Sequence, residues 1–287
     1  MKKLIALILS ALMLALCFAC AAPVAAAVEA TEAPAEATEA PADATEAPAA
    51  DDDWSYIQSN GKIVIGITEY EPMNYYDASG KLIGFDTEFA EAACAKLGLT
   101  PEFVVIDWDT KELELSSKKI DCIWNGLTVT EDRKANMDFS TSYLKNQQVV
   151  VVLASDAANY ADAASFAGLT VVAEAGSAGA AAIAANMADA DFVEVQAQSD
   201  ALLEVKTGKA AAAVIDLTMA NAMTGEGTDY SDLTILPIEM PGEEYAIGFR
   251  VGSSATAQFN EIIAAFATDG TFDTLAAKYD LSDLLIK

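Results

Sequence analysis

Few residues in this chain have types and spacing suited to chemistry. Arg133 is one of two arginines among 287 residues. It lies just past a predicted strand, in Asn125-Gly126-Leu127-Thr128-Val129-Thr130-Glu131-Asp132-Arg133. A guanidinium is a planar fork that meets a carboxylate in two parallel hydrogen bonds. Gly126 lets backbone approach a ligand closely, and Thr128 adds a hydroxyl and a backbone donor. The plain alternative is a surface arginine paired with Glu131 or Asp132. Ala175-Gly176-Ser177-Ala178-Gly179 joins a strand to a helix. Such a turn offers backbone N–H groups to an anion, or is only a turn. It lacks the Gly-Lys-Ser/Thr of a P-loop and the full glycine spacing of a dinucleotide loop. Asp216 follows a predicted strand over 211–215, where a carboxylate can hold an ammonium group or cap a helix over 217–223. Tyr70 and Trp108 sit in strand-following loops and can clamp the apolar part of a ligand, or pack a core or hinge. Trp124, in mid-strand, reads as core, and Arg250 as a surface arginine in a turn. Cys94 and Cys122 lack Cys-x-x-Cys spacing and histidine partners, which argues against zinc and for two buried thiols rather than a disulfide.

Composition removes whole classes of function. There is no histidine, so no imidazole acid–base chemistry or ligation. Lys and Arg number 16 against 44 Asp and Glu, a net charge of −28. Phosphate backbones need clustered cations, so nucleic acid is not an expected partner. No cofactor is expected.

These residues need elements to position them. Apolar β-branched runs and helical stretches alternate from Lys62 onward. Strands are predicted over 63–67, 103–106, 120–127, 148–153, 169–173, 192–195, 211–215, 235–238 and 245–251. Helices are predicted over 85–97, 179–187, 199–206, 217–223, 256–268 and 271–279, with Ser199 capping one of them. Asp109-Thr110-Lys111-Glu112 reads as a capping box opening a further short helix. Strand–helix alternation implies parallel sheets in an α/β fold, and such sheets bind ligands beyond the carboxyl ends of their strands.

The N-terminal stretch is of another kind. Met1-Lys2-Lys3 precedes an apolar run from Leu4 to Ala19 broken only by Ser10, the pattern of a secretory signal over 1–19. Cys20 then stands where bacterial lipoproteins carry their lipidated first residue, with Cys17 or a later Ala-x-Ala as alternatives. Thr-Glu-Ala-Pro repeats at Thr31, Thr38 and Thr45, a seven-residue period with proline in each repeat and no large apolar residue. That composition reads as a solvated spacer over 20–53. From Ala21 onward it would reach roughly 110 Å fully extended and about 30 Å as a flexible coil. The remaining 54–287 holds 35 acids against 14 bases, so the domain is acidic in its own right.

Taken in order, the Tyr70–Pro72 loop, Gly84-Phe85-Asp86, Ile120-Asp121, Gly126-x-Thr128-x-Thr130-Glu131-x-Arg133, Asp138-Phe139-Ser140, Gly176-Ser177 and Asp216 resemble the family 3 extracellular solute-binding proteins, the polar amino-acid receptors of ABC importers. The resemblance covers about 61–280. It implies a two-lobed periplasmic-binding-protein (Venus-flytrap) fold with two hinge strands, lobe 1 over 54–144 and 245–287 and lobe 2 over 147–242. It also implies that Arg133 binds the α-carboxylate of an L-amino acid with the backbone of Thr128 and Ser177. Asp216 and the Gly126 carbonyl would take the α-ammonium, while Tyr70 and Trp108 would sandwich the side chain. Asn125 stands where the family often has a small residue, and Glu174 where some members are polar or cationic. Glu69 and Glu174 would favour a cationic side chain and Asn125 a neutral polar one; the expectation taken is neutral polar. The protein so implied is a monomeric receptor, lipid-anchored at the outer face of the cytoplasmic membrane, that delivers its ligand to a permease. A dehydratase of the same fold, with Glu174 or Glu69 as general acid, and a ligand-sensing domain are the alternatives.

Overall fold

The run Lys62–Ile67 forms β1, with Ile63, Ile65 and Ile67 buried, as expected of an apolar β-branched segment inside a sheet. The computed structural model describes residues 52–286. Cys20, the leader and nearly all of the spacer therefore lie outside the described residues. Helix α1 (Asp53–Asn60) precedes β1, and the ribbon β2 (Tyr75–Tyr76) and β3 (Leu82–Ile83) follows it. Next come α2 (Phe85–Leu97), β4 (Thr100–Val105), α3 (Lys111–Ser116), β5 (Cys122–Ile123), α4 (Glu131–Lys134) and β6 (Asp138–Phe139). The chain then crosses into β7 (Leu144–Leu153), β8 (Thr170–Glu174), α5 (Ala178–Asn186), β9 (Asp191–Val195), α6 (Gln198–Lys206), β10 (Ala212–Asp216), α7 (Leu217–Met223) and β11 (Leu233–Ile235). It returns through β12 (Gly242–Tyr245) to β13 (Gly248–Phe249), α8 (Ala255–Asp269) and α9 (Thr271–Lys278).

Two sheets result, one per lobe. The first has the order β4-β1-β5-β13-β6, the second β11-β7-β10-β8-β9. Strand β7 serves two purposes. Its start pairs antiparallel with β12, Leu144 with Tyr245 and Gln147 with Gly242, and its remainder pairs with β10 and β11. This pair is the double crossing between lobes. Strand β10, buried at every position, lies between β7 and β8 and delivers Asp216 at its carboxyl end. In the first lobe α2 buries Phe85, Phe89 and Ala93. Phe89 meets Trp124 and Phe272 edge-on at 4.6 and 4.7 Å, geometry favoured by aromatic quadrupoles.

Several elements differ from expectation. The strand expected over 120–127 is only Cys122–Ile123, because the chain turns away at Asn125-Gly126, with Gly126 at φ 57°. The strand expected over 245–251 is two pieces, β12 and β13. The one expected over 235–238 ends at Ile235, before Pro237, which offers no N–H to a ladder. No Asp109 capping box forms. The Asp107 carboxylate accepts from the Asp109 N–H, and a 3₁₀ turn over Trp108–Thr110 leads into α3. Ser199 does not cap α6, which opens one residue earlier after Ala197. Arg250 is not at the surface. It is 8% exposed, ion-paired to Asp53 at 2.9 Å and Asp121 at 3.1 Å, and bonded to the carbonyls of Ile120 and Leu115. Asp53, expected at the end of the spacer, opens α1 and is one of those partners.

Candidate functional site

The elements converge on one small, nearly filled cavity, lined by Trp108, Asn125, Gly126, Thr128 and Arg133 from the first lobe and Glu174, Ser177, Ala178, Gln198 and Asp216 from the second. A larger hollow elsewhere, near Glu71, Tyr75, Asn221 and Lys278, brings together neither arginine nor any of the sequence-derived site residues.

Arg133 is held by α4, whose first turn is capped by Thr130: its hydroxyl oxygen accepts the Arg133 N–H at 3.1 Å. The side chain is 8% exposed. Its Nη1 donates to the Thr128 carbonyl at 2.8 Å, and its Nη2 to the Gly176 carbonyl of the other lobe at 3.2 Å. The pairing with Glu131 is excluded, since Glu131 binds Lys134. Burial lowers the guanidinium from its ordinary value, and Asp216 and Glu243 oppose that.

Asp216 faces it from the end of β10. Its Oδ1 accepts from Asn146 Nδ2 at 2.6 Å and Gln148 Nε2 at 2.7 Å, and its Oδ2 from Gln198 Nε2 at 2.5 Å. The Gln198 Oε1 accepts the Asp216 N–H at 2.9 Å. The side chain makes no capping bond to α7, so the helix-cap alternative fails. Burial raises the Asp216 carboxyl despite these donors. The same two amides, of Asn146 and Gln148, also donate to Glu243 Oε2. This half-buried hinge carboxylate is raised by burial and then by Asp216.

The glycine turn is built as expected. Gly176 sits at φ 65°, a conformation costly for other L-residues. Ser177 caps α5, its Oγ accepting the Ala180 N–H at 3.1 Å. An added Cβ at Gly176 would lie 2.9 Å from Asp109 Oδ1 of the other lobe. Lys111 closes the same seam: its Nζ donates to the Trp108 carbonyl at 3.1 Å and to the Gly176 carbonyl at 2.9 Å. Burial, then Arg133, pulls its ammonium down to about 8.

Seven of the eight ligand-contact residues expected from the sequence line the cavity; Tyr70 does not. It is 2% exposed, and its hydroxyl bonds Tyr245 at 2.7 Å and Thr218. Its ring supports Gly126 from behind, 2.6 Å from where a Cβ would stand. Asn125 lines the wall, but both ends of its amide are engaged. Oδ1 accepts from the Thr68 N–H and hydroxyl, and Nδ2 donates to the Thr68 carbonyl and Asn74 Oδ1. Glu69 is exposed and away from the cavity. Two features escaped the sequence reading: Gln198, whose role depends on β10 lying beside α6, and Lys111, which met Gly176 only through tertiary closure. Glu174 lies at the end of β8, 2% exposed, with Oε1 buried and unpartnered. Burial, then Asp216, pushes its carboxyl up to about 8, against Lys111 and Arg133. Cys94 and Cys122 are buried free thiols, and burial pushes the Cys94 thiol up to about 12.

Two lobes on separate sheets, joined by a double crossing with a cavity between them, define a two-lobed binding protein. Residues 63–282 match the bacterial extracellular solute-binding proteins, family 3, and the chain belongs to that family. It is 24% identical over 230 residues to the L-cystine-binding protein TcyJ of Escherichia coli (strain K12), covering 79% of this chain and 86% of that one. To the arginine-binding extracellular protein ArtP of Bacillus subtilis (strain 168) it is 27% identical over 222 residues, covering 76% and 86%. Among solved structures, an ABC uptake transporter substrate-binding protein from Streptococcus pneumoniae with bound histidine superimposes with a TM-score of 0.75 at 32% identity. That match covers 83% of this chain and 99% of the other.

Proposed function

We propose that this protein is the extracytoplasmic amino-acid receptor of an ABC importer, and that it captures a free L-amino acid by closing its lobes. Arg133, in the first lobe, holds the α-carboxylate, with the backbone of Thr128 and Ser177 beside it. Asp216, in the second, holds the α-ammonium together with the Gly126 carbonyl. Trp108 lies against the ligand side chain. The observation that carries this reading is the placement of a buried cation and a buried anion from different lobes on one cavity. A zwitterion meets both at once only when the lobes are together, so its contacts favour the closed state. Relatives named for cystine, arginine and histidine binding support an amino acid as the ligand. The receptor then acts as a monomer on a permease, anchored to the membrane through lipid on Cys20. In a Cys20→Ser variant the protein should leave the membrane fraction, and retention there would end the anchoring proposal.

A ligand that binds only the native state raises its melting temperature by mass action. A thermal-shift screen of the twenty amino acids with cystine and ornithine should therefore find at least one strong stabiliser; a flat screen contradicts the reading. One observation favours a second reading. Glu174, buried on the cavity wall with its carboxyl pushed up to about 8, would serve as the general acid of a dehydratase reaction. Turnover of a prephenate-like acid by the purified protein would establish it, and absence of turnover would remove it.

A further inference from the structure

Resting on the amino-acid reading of the cavity, we propose that the ligand side chain is cationic and that Glu174 is its counter-ion.

The inference comes from tracing the partners of the cavity's polar groups. Arg133 and Asp216 are taken by the two ends of the zwitterion. Asn125 has no free hydrogen-bonding atom toward a ligand, because Thr68 and Asn74 occupy its amide at both ends. The Thr128 hydroxyl donates to Glu243, the Ser177 hydroxyl accepts the Ala180 N–H, and the Gln198 amide is tied at both ends to Asp216. Glu174 is the charged wall residue left over. Its Oε1 is fully enclosed with no donor, a costly state for a carboxylate.

The nearby cation lowers it by charge but makes no bond to it. Lys111 directs its ammonium to the carbonyls of Trp108 and Gly176. The ionisable groups acting on Glu174 are Asp216 from β10, Lys111 from α3, Arg133 from α4 and Asp107 from the loop before α3. Once the zwitterion neutralises Arg133 and Asp216, the unmatched group on the wall is an acid without a donor. An acidic side chain is repelled there. A neutral amide can bond the protonated carboxyl but cannot stabilise the carboxylate in place of its proton. A guanidinium or alkylammonium supplies both donor and charge, a bond that is stronger when ionised. The neutral-polar expectation rested on Asn125, and the engagement of that amide removes its basis.

The arrangement also couples binding to a proton. In the empty cavity the Glu174 carboxyl, at about 8, holds its proton at neutral pH. A cation beside it restores the carboxylate and expels that proton. Affinity for a cationic ligand therefore rises with pH and levels off above about 8.

The test is calorimetric titration of the purified protein and of Glu174→Gln at pH 7.5. The probes are L-arginine, L-lysine and L-ornithine against L-citrulline, L-glutamine and L-histidine. Citrulline matches arginine in shape without its charge. The best cationic ligand should bind the wild type about ten- to a hundredfold more tightly than citrulline. Glu174→Gln should bring the two within a few-fold and flatten the rise in affinity between pH 6 and 8. The rise should be about tenfold or more in the wild type, as one-proton linkage gives. If the Gln variant does not fold, the wild-type ratio and pH slope decide alone. A tightest ligand with an uncharged or acidic side chain at pH 7.5 overturns the proposal. An unchanged charge preference in Glu174→Gln does so as well. Failure of every amino acid to bind removes the receptor reading, and this assignment with it.

Discussion

Arg133 and Arg250 are both 8% exposed, yet their partners give them opposite roles. Arg250 is satisfied by two carboxylates and two carbonyls within its own lobe. Arg133 has no carboxylate within ion-pair distance among the described residues, only two carbonyls, one of them across the cleft. Arg250→Ala would leave Asp121 and Asp53 without their cation, and breaking a buried pair costs about 3–5 kcal/mol. The melting temperature should fall sharply while ligand affinity stays within about twofold, which differential scanning and calorimetry would check. Arg133→Ala should do the reverse. On the proposed reading it removes the charge-assisted fork for the ligand carboxylate, so binding should weaken about a hundredfold or more. Circular dichroism should report an unchanged fold, and near-wild-type affinity would refute the assignment of Arg133.

At the scale of elements, the turn between β8 and α5 joins local geometry to closure. Gly176 needs its positive φ for the chain to leave β8 and enter α5 with Ser177 as the cap. Its missing Cβ is also what allows Asp109 and Lys111 of the opposite lobe to approach, at 2.9 and 3.4 Å from the Cβ position. Gly176→Ala therefore carries two costs. The backbone strain, about 1–2 kcal/mol, is felt in the open and closed states alike. The contact with Asp109 is felt only on closure. Affinity should drop about tenfold beyond any change in ligand-free stability, measured by calorimetry alongside thermal melts. An affinity unchanged against a lowered melting temperature would show that the turn matters for folding alone.

Across the whole molecule, buried acids and net charge set the response to pH. Asp86 is fully buried; the Gly126 N–H at 2.7 Å and the Tyr143 hydroxyl at 3.0 Å donate to its Oδ2, yet burial prevails and raises it to about 7. Glu174 is raised to about 8. Both groups bind protons more tightly folded than unfolded. Their contribution is present in full below the ordinary carboxylate range and is lost as pH rises through about 7 and 8. Self-repulsion in a chain of net charge −28 acts in the same direction. Asp269, lowered to about 2 by bonds from Lys96 and Thr271, opposes them only at strongly acid pH. The ligand-free melting temperature should thus be highest near pH 5 and decline by about 5 °C or more toward pH 8. A melting temperature that rises over this interval would contradict the burial of these acids.

What the sequence determined alone is whatever local pattern encodes. Apolar β-branched runs placed β1, β4, β7, β8, β9 and β10, four-residue spacing placed α2, and Leu217–Met223 appeared as a helix with the bounds observed. The Gly-x-Thr-x-Thr-x-x-Arg stretch, the Gly176-Ser177 turn and Asp216 were legible as candidates because each sits near a strand end, where an α/β sheet exposes its ligand face, and residues from all three line the cavity. Tertiary structure decided how those residues meet, since that depends on partners distant in sequence. It placed Tyr70 against Tyr245 and Thr218 behind the wall, engaged the Asn125 amide with Thr68 and Asn74, and brought Gln198 to Asp216 and Lys111 to Gly176. Hydrogen-bonding capacity is a property of the residue type, but which of it remains for a ligand depends on what the folded neighbours have already used.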